Sequence, residues 1–153
     1  MPETELTGEK IVIEAFQTSG DATILLGYTS GDVNVEISQD VIEAEVHDSP
    51  RKLRKAGKVA TDVTFGGVVT TTLPALAMLN LATGTNPQTI KPSGPALNKV
   101  VVKIYANADD ASPDATLTLN NCIPMLEGIT IPGGTDVARF NLRLLVNGDM
   151  TWG

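Results

Sequence analysis

"DVNVEISQDVIEAEV", residues 32–46, decides how the rest of the chain is read. Val33, Val35 and Ile37 alternate with Asn34, Glu36 and Ser38, the period of an antiparallel strand with one apolar face. Near Gln39 the phase slips by one residue. Ile42, Ala44 and Val46 then take the apolar side, and Glu43 and Glu45 the polar side. A slip inside a continuing strand predicts a β-bulge or a bend. The same period returns at Val59, Thr61, Val63 and Phe65. Between the two patterns lies "HDSPRKLRKAGK", residues 47–58. Two strand patterns around such a segment predict a long hairpin with an extended loop.

Further strand patterns lie on both sides of this hairpin. Ile11, Ile13 and Ala15 alternate with Val12, Glu14 and Phe16, and "ATILLGY" follows at 22–28. Later come "LNKVVVKIYAN", "DATLTLNNCIP" and "DVARFNLRLLVNGDMTWG". In the last, Ala138, Phe140, Leu142, Leu144 and Val146 take one face, and Arg139, Asn141 and Arg143 the other. Gly66-Gly67 predicts a second bulge or bend. One short helix is expected, with Thr72 as N-cap, Pro74 in its first turn and Gly84 at its C-terminal cap. Its apolar face would be Leu73, Leu76, Ala77, Leu79 and Leu81. The Pro-rich stretch at 85–96 reads as turns. The expected fold is mainly β, a single domain over residues 1–153. It is a two-sheet antiparallel β-sandwich or barrel of seven or eight strands, with one short flanking α-helix and a long hairpin loop.

Composition narrows the function. The chain has 11 Lys and Arg against 18 Asp and Glu. Five of the basic residues, Arg51, Lys52, Arg54, Lys55 and Lys58, fall within residues 51–58, leaving 6 against 18 elsewhere. So acidic a surface argues against general binding to nucleic acid or to anionic membranes. The N-terminus lacks an apolar signal-peptide core, and a cytoplasmic protein is expected. Cys122 is the lone cysteine, which leaves no internal disulfide. His47-Asp48-Ser49 holds the residue types of a hydrolase triad, but consecutive residues cannot converge on one substrate atom. One His and one Cys lack metal-ligand spacing, and Asp109, Asp110 and Asp114 lack the pattern of a calcium loop. Catalytic, metal-binding and cofactor-binding residues are therefore none. Trp152 is expected to anchor the tail on a neighbour.

The order of elements resembles a known family. "LLGYTSGDVNVEISQD", the charged hairpin, "KVATDVTFGGVVTTTLPALAMLNLATG" and the late "ATLTLNNCIPMLEG…FNLRLLVNGDMTWG" look like a tail tube protein of tailed bacteriophages. The resemblance spans most of residues 20–150 and is one of pattern, most specific where the Thr-rich bend meets the Leu-rich segment ending in "LATG". Members of that family resemble the tube proteins of type VI secretion and contractile injection machines. The resemblance implies rings, usually of six subunits, stacked into a hollow tube for DNA passage. It also implies a virion protein of the tail, assembled in the host bacterial cytoplasm, with tail sheath, baseplate, tail terminator and tape-measure protein as further partners.

Within that frame Arg51, Lys52, Arg54, Lys55 and Lys58 would form an arm between subunits. It would meet acidic surface on another copy, either Glu3, Glu5 and Glu9 or the Asp109, Asp110 and Asp114 loop. Residues 32–48 hold six carboxylates and no Lys or Arg. Glu36, Glu43 and Glu45 stand away from the apolar side and would line a net-negative bore, keeping DNA a repelled, mobile cargo. Two alternatives remain: a single-ring baseplate, neck or tail-terminator component of the same fold, and a monomeric β-sandwich binding module. The aromatic content of 4% disfavours carbohydrate recognition by the latter.

Overall fold

The computed structural model describes residues 6–16, 23–28, 33–45, 50–69, 73, 76 and 79–153. Among them the chain forms ten strands. These are β1 (Lys10–Phe16), β2 (Thr23–Tyr28), β3 (Asn34–Ala44), β4 (Leu53–Val68), β5 (Ala82–Thr83), β6 (Thr89–Ile90), β7 (Leu97–Tyr105), β8 (Ala115–Thr130), β9 (Arg139–Val146) and β10 (Met150–Trp152). All ladders are antiparallel. The order is β2-β1-β7-β8-β9-β4-β3, with β10 also beside β8, and β5 and β6 make a small separate hairpin.

One strand turns this single ladder into a sheet folded round a core. The first half of β8 lies between β7 and β10, and its second half pairs with β9. At Asn121 the backbone takes φ 54°, a left-handed conformation that Asn tolerates better than most residues. The buried residues of β8 are Ala115 and Leu119 before that point, and Cys122 and Pro124 after it. Inward parity therefore changes from odd to even across Asn121. Asn121 O accepts the Asn147 N–H, and Asn120 O the Gly148 N–H, which fixes the corner. The core is aliphatic with two phenylalanines: Ile13, Val63, Phe65, Leu76, Leu79, Leu81, Val100, Val102, Leu119, Leu142 and Leu144 meet there, with Phe140 beside them.

Several expectations need correction. Gly66-Gly67 makes no bulge, because β4 pairs with β9 from Thr61 to Val68 without a shift. Gly67 is small for another reason: a Cβ there would lie 2.5 Å from Cζ of Phe140, whose ring covers it. The expected helix falls largely outside the described residues, which exclude Thr72, Pro74 and Ala77. What is described ends it before Gly84. Asn80 has φ 59°, and Leu81 N–H donates to Leu76 O at 2.8 Å, the six-to-one bond of a Schellman helix end. Ala82 then enters β5, and Gly84, at φ 92°, serves the β5–β6 turn. Val35 and Ile37 alternate as expected but do not reach the core, and the whole of β3 is exposed.

Cys122 is fully buried, its Sγ 3.4 Å from Leu119 O. Burial pushes its thiol up to about 12, so the reactive thiolate is scarce at neutral pH. A thiol reagent at pH 8 is expected to label Cys122 only after the chain is unfolded in urea. Leu142→Ala, at the centre of the core, should lower unfolding stability by about 2–5 kcal/mol in the same titration.

Candidate functional site: a projecting hairpin and a polar sheet face

The hairpin of β3 and β4 outruns its support. β9 covers β4 only from Thr61 to Val68, so Leu53–Ala60 pairs with β3 alone. At a strand rise of about 3.3 Å per residue, those eight residues carry the arm about 25 Å past the end of β9. The strands run farther than the sequence reading allowed. Arg51 and Lys52 precede β4, whereas Arg54, Lys55 and Lys58 stand on it, so the loop is shorter than 47–58. Val46 and His47–Ser49 lie outside the described residues.

The expected irregularity sits where the phase slip placed it, but on the other strand. Gln39 faces Val59 and Val41 faces Ala56, so Gly57 and Lys58 together oppose the single residue Asp40. Gly57 is needed at that point, since a Cβ would lie 2.9 Å from Asp40 O. Gln39 Nε2 donates to Gly57 O and ties the two strands at the bulge. Because the extra residue belongs to β4, β3 keeps strict alternation. Glu36 and Glu43, seven positions apart, therefore point to opposite faces. This separates residues that the sequence pattern had grouped.

The two faces differ in character. On the side continuous with the core, Val35, Ile37, Val41 and Val59 are 39, 61, 62 and 56% exposed. They form an apolar strip with no second layer over it among the described residues. The strip ends at the Glu43–Arg54 cross-strand pair. Glu43 lies 3.2 Å from Arg54 Nε and 3.7 Å from Lys52 Nζ, so part of the arm's positive charge is met within the arm itself. Glu45 is exposed just past the end of β3.

The opposite face of β3, β4, β9 and the second half of β8 is polar. Asn34, Glu36, Thr64, Glu127, Asn141 and Arg143 surround a shallow hollow there. Arg143 stands between two carboxylates, its Nε 2.7 Å from Glu127 and an Nη 4.0 Å from Asp62. Asp62, Glu127 and Arg143 were not named as site residues from sequence. The signal for Arg143 was its place on the polar side of the β9 alternation. Glu127 could not be found that way, because it sits at the β8–β9 register shift.

The acidic surfaces expected to receive the arm fare unevenly. Glu3 and Glu5 lie outside the described residues. In the 106–114 loop two of the three carboxylates, Asp110 and Asp114, turn inward on the backbone, while Asp109 is exposed. Asp114 accepts the Ala106 N–H at 2.7 Å, and Asp110 accepts the Asn107 N–H at 3.3 Å. Trp152 is 62% exposed on the edge strand β10, opposite Leu117. Among the described residues, no helix is long and apolar enough to cross a membrane.

No protein-family model matches the sequence, and a search of curated proteins returned no match. Solved structures do match in fold. A chain of the sheath–tube complex of an extracellular contractile injection system, PVC in its extended state, is 15% identical with a TM-score of 0.67, covering 99% of this chain and 93% of that one. A chain of the sheath/tube terminator of the same system is 15% identical with a TM-score of 0.64, covering 99% and 98%. A chain of the six-fold symmetrised anti-feeding prophage baseplate is 19% identical with a TM-score of 0.60, covering 100% and 97%. The chain shares the fold of these proteins along its whole length.

The arm and the body should respond separately to mutation. Gly57→Val forces β4 away from Asp40 at the bulge. It is expected to leave the urea midpoint of the body within about 0.5 kcal/mol of the original, because the arm adds nothing to the core. Any self-association that the unmodified chain shows in sedimentation velocity should be weakened by this change. Glu43→Gln, which removes only exposed ion pairs worth about 0–1 kcal/mol each, should leave both measurements nearly unchanged.

Proposed function

We propose that this chain, built on the fold of contractile-injection tube assemblies, is a structural, non-catalytic tube subunit that associates with copies of itself into stacked rings. The observation that carries this reading is the uncovered apolar strip of the β3–β4 arm. An isolated monomer would hold Val35, Ile37, Val41 and Val59 in water on the face that elsewhere makes the core. Full burial of such a side chain is worth about 1.5–3 kcal/mol. Each of the four is already part-covered, so a second copy would add about 1 kcal/mol apiece and about 4 kcal/mol per arm. Exposed ion pairs contribute about 0–1 kcal/mol each. The apolar strip therefore supplies the larger share of the contact energy. Arg51, Lys52, Arg54, Lys55 and Lys58 act at its rim, fixing register rather than holding the copies together.

A free strand edge supports the same reading. Among the described residues β3 is the last strand of the sheet, and its eleven residues are all exposed. A long open edge invites further pairing, and ring closure uses such edges up. The edge of the second half of β8 is blunted instead by the chain at 92–94, through Leu126 N–H to Pro92 O and Gly94 N–H to Pro124 O.

In such a ring the polar face of β3, β4, β9 and β8 would line the bore. Glu36, Asp62 and Glu127 stand there with Arg139 and Arg143, and Arg143 is already engaged by two carboxylates. A polyanion passing along this wall finds little unpaired positive charge to stall on, and DNA travels as cargo without being bound. Six subunits per ring, a place in a phage or phage-like tail, and a sheath, baseplate, terminator and tape-measure protein as neighbours complete the proposal. The terminator and baseplate chains of the same fold support the alternative of a single ring.

Negative-stain microscopy of the concentrated protein separates the readings. Tubes are expected; discrete rings would favour the terminator or baseplate role, and monomers would remove both. Ile37→Glu places a charge in the middle of the apolar strip and should abolish tubes and rings while leaving the urea midpoint unchanged. Assembly of that variant at the unmodified protein's concentration would contradict the role given to the strip.

A further inference from the structure

Asn147-Gly148 is the one Asn-Gly pair in the chain. Such a pair can modify itself wherever its backbone turns freely, because glycine has no Cβ to hinder the motion or to shield its nitrogen. The Gly148 nitrogen attacks Cγ of Asn147. The N–Cγ bond forms, the Cγ–Nδ2 bond breaks, and the side-chain amide leaves as ammonia, taking the proton that the Gly148 nitrogen gives up. Water then opens the five-membered ring at one of its two carbonyls, leaving aspartate or isoaspartate. Water is the only other reactant.

The pair sits where the corner of β8 is fastened. β9 and β10 follow one side of β8, with Val146 facing Cys122 and Met150 facing Leu119. The three residues 147–149 therefore lie against only two, Asn120 and Asn121. Asn147 is exposed, so water reaches it, and the attacking nitrogen is the constrained party. Gly148 N–H donates to Asn120 O at 2.9 Å, and Asn147 N–H donates to Asn121 O at 2.8 Å. A Cβ on Gly148 would lie 2.7 Å from Asn120 O, so the backbone is pressed flush against β8. Asp149 O accepts both the Asn120 N–H at 3.1 Å and Asn120 Nδ2 at 2.9 Å. Beyond this fastening the strand is short. β10 has three residues, a reciprocal bond pair joins Gly153 to Thr116, and Trp152 is 62% exposed. Among the described residues β10 pairs with β8 alone. Short edge elements of this kind open locally at a small fraction of the global unfolding free energy.

We propose that Asn147 is a self-modification site held shut by the corner, deamidating when residues 147–153 peel from β8, and that the change is one-way. Isoaspartate adds a methylene to the main chain where three residues already fit against two. Aspartate adds a negative charge two positions from Asp149. Either product opposes closure, so a chain that has once released this strand stays marked. This holds whether or not the chain forms tubes.

Trypsin releases residues 144–153 as one peptide whose single asparagine is Asn147, and its mass gain reads the reaction. At pH 8 the folded protein should react about tenfold more slowly than the chain in urea, or slower still; tenfold corresponds to about 1.4 kcal/mol of opening free energy. Equal rates would overturn the lock. Below the global unfolding transition the rate should be nearly flat in urea, because peeling one short strand exposes little surface. A rate rising in step with global unfolding would overturn local release. Asn120→Ala keeps the backbone bonds and loses the side-chain bond to Asp149 O. It should deamidate several-fold faster at an unchanged urea midpoint; an unchanged rate would overturn the fastening assigned to Asn120. In the isolated deamidated protein, amide exchange over 147–153 should be faster than in the original while that of β7 is unchanged. Identical exchange in the two forms would contradict the one-way change.

Discussion

The structure turns on a mismatch of length. β4 has sixteen residues, and only its second half finds support from β9. Its first half continues with β3 as a two-stranded ribbon, and such ribbons are marginal alone in water. The ribbon keeps the alternation of a sandwich strand without the opposing layer that alternation normally serves. An apolar face built to sandwich specifications and left exposed is what the proposed self-association would cover. The uneven distribution of charge is secondary to that fact.

The body supplies the rigidity that makes the arm useful. A corner at Asn121 lets β8 serve two layers, so one continuous strand connects the sheet that carries the arm to the sheet behind it. Among the described residues the aliphatic core contains no buried charge, and the polar residues gather on surfaces. This division leaves the polar face of β3, β4, β9 and β8 exposed, with Arg143 2.7 Å from Glu127 and 4.0 Å from Asp62.

Much of this was legible in the sequence. Period-two patterns located β1, β3, β4 and β9, and the parity of Phe140, Leu142, Leu144 and Val146 named the core face of β9 correctly. The phase slip near Gln39 marked a true irregularity. Three things were not legible, each for a physical reason. A slip does not say which strand holds the extra residue, so Glu43 was assigned to the wrong face of β3. Alternation reports that a face will be covered without reporting by which chain, so Val35 and Ile37 read as core. A helix end on Asn80 hid behind the more permissive Gly84, because Asn reaches the left-handed conformation less often than Gly. Glu127 escaped because a register shift scrambles the parity that would have exposed it.

The central claim is that the bare face of β3 is covered by another copy of the same chain. Hydrogen–deuterium exchange of the amides in residues 34–44, followed over a range of protein concentrations, addresses it directly. The account predicts that protection there rises steeply with concentration, while that of β7 and β9 is high throughout. Exchange in β3 that stays fast and indifferent to concentration would contradict it.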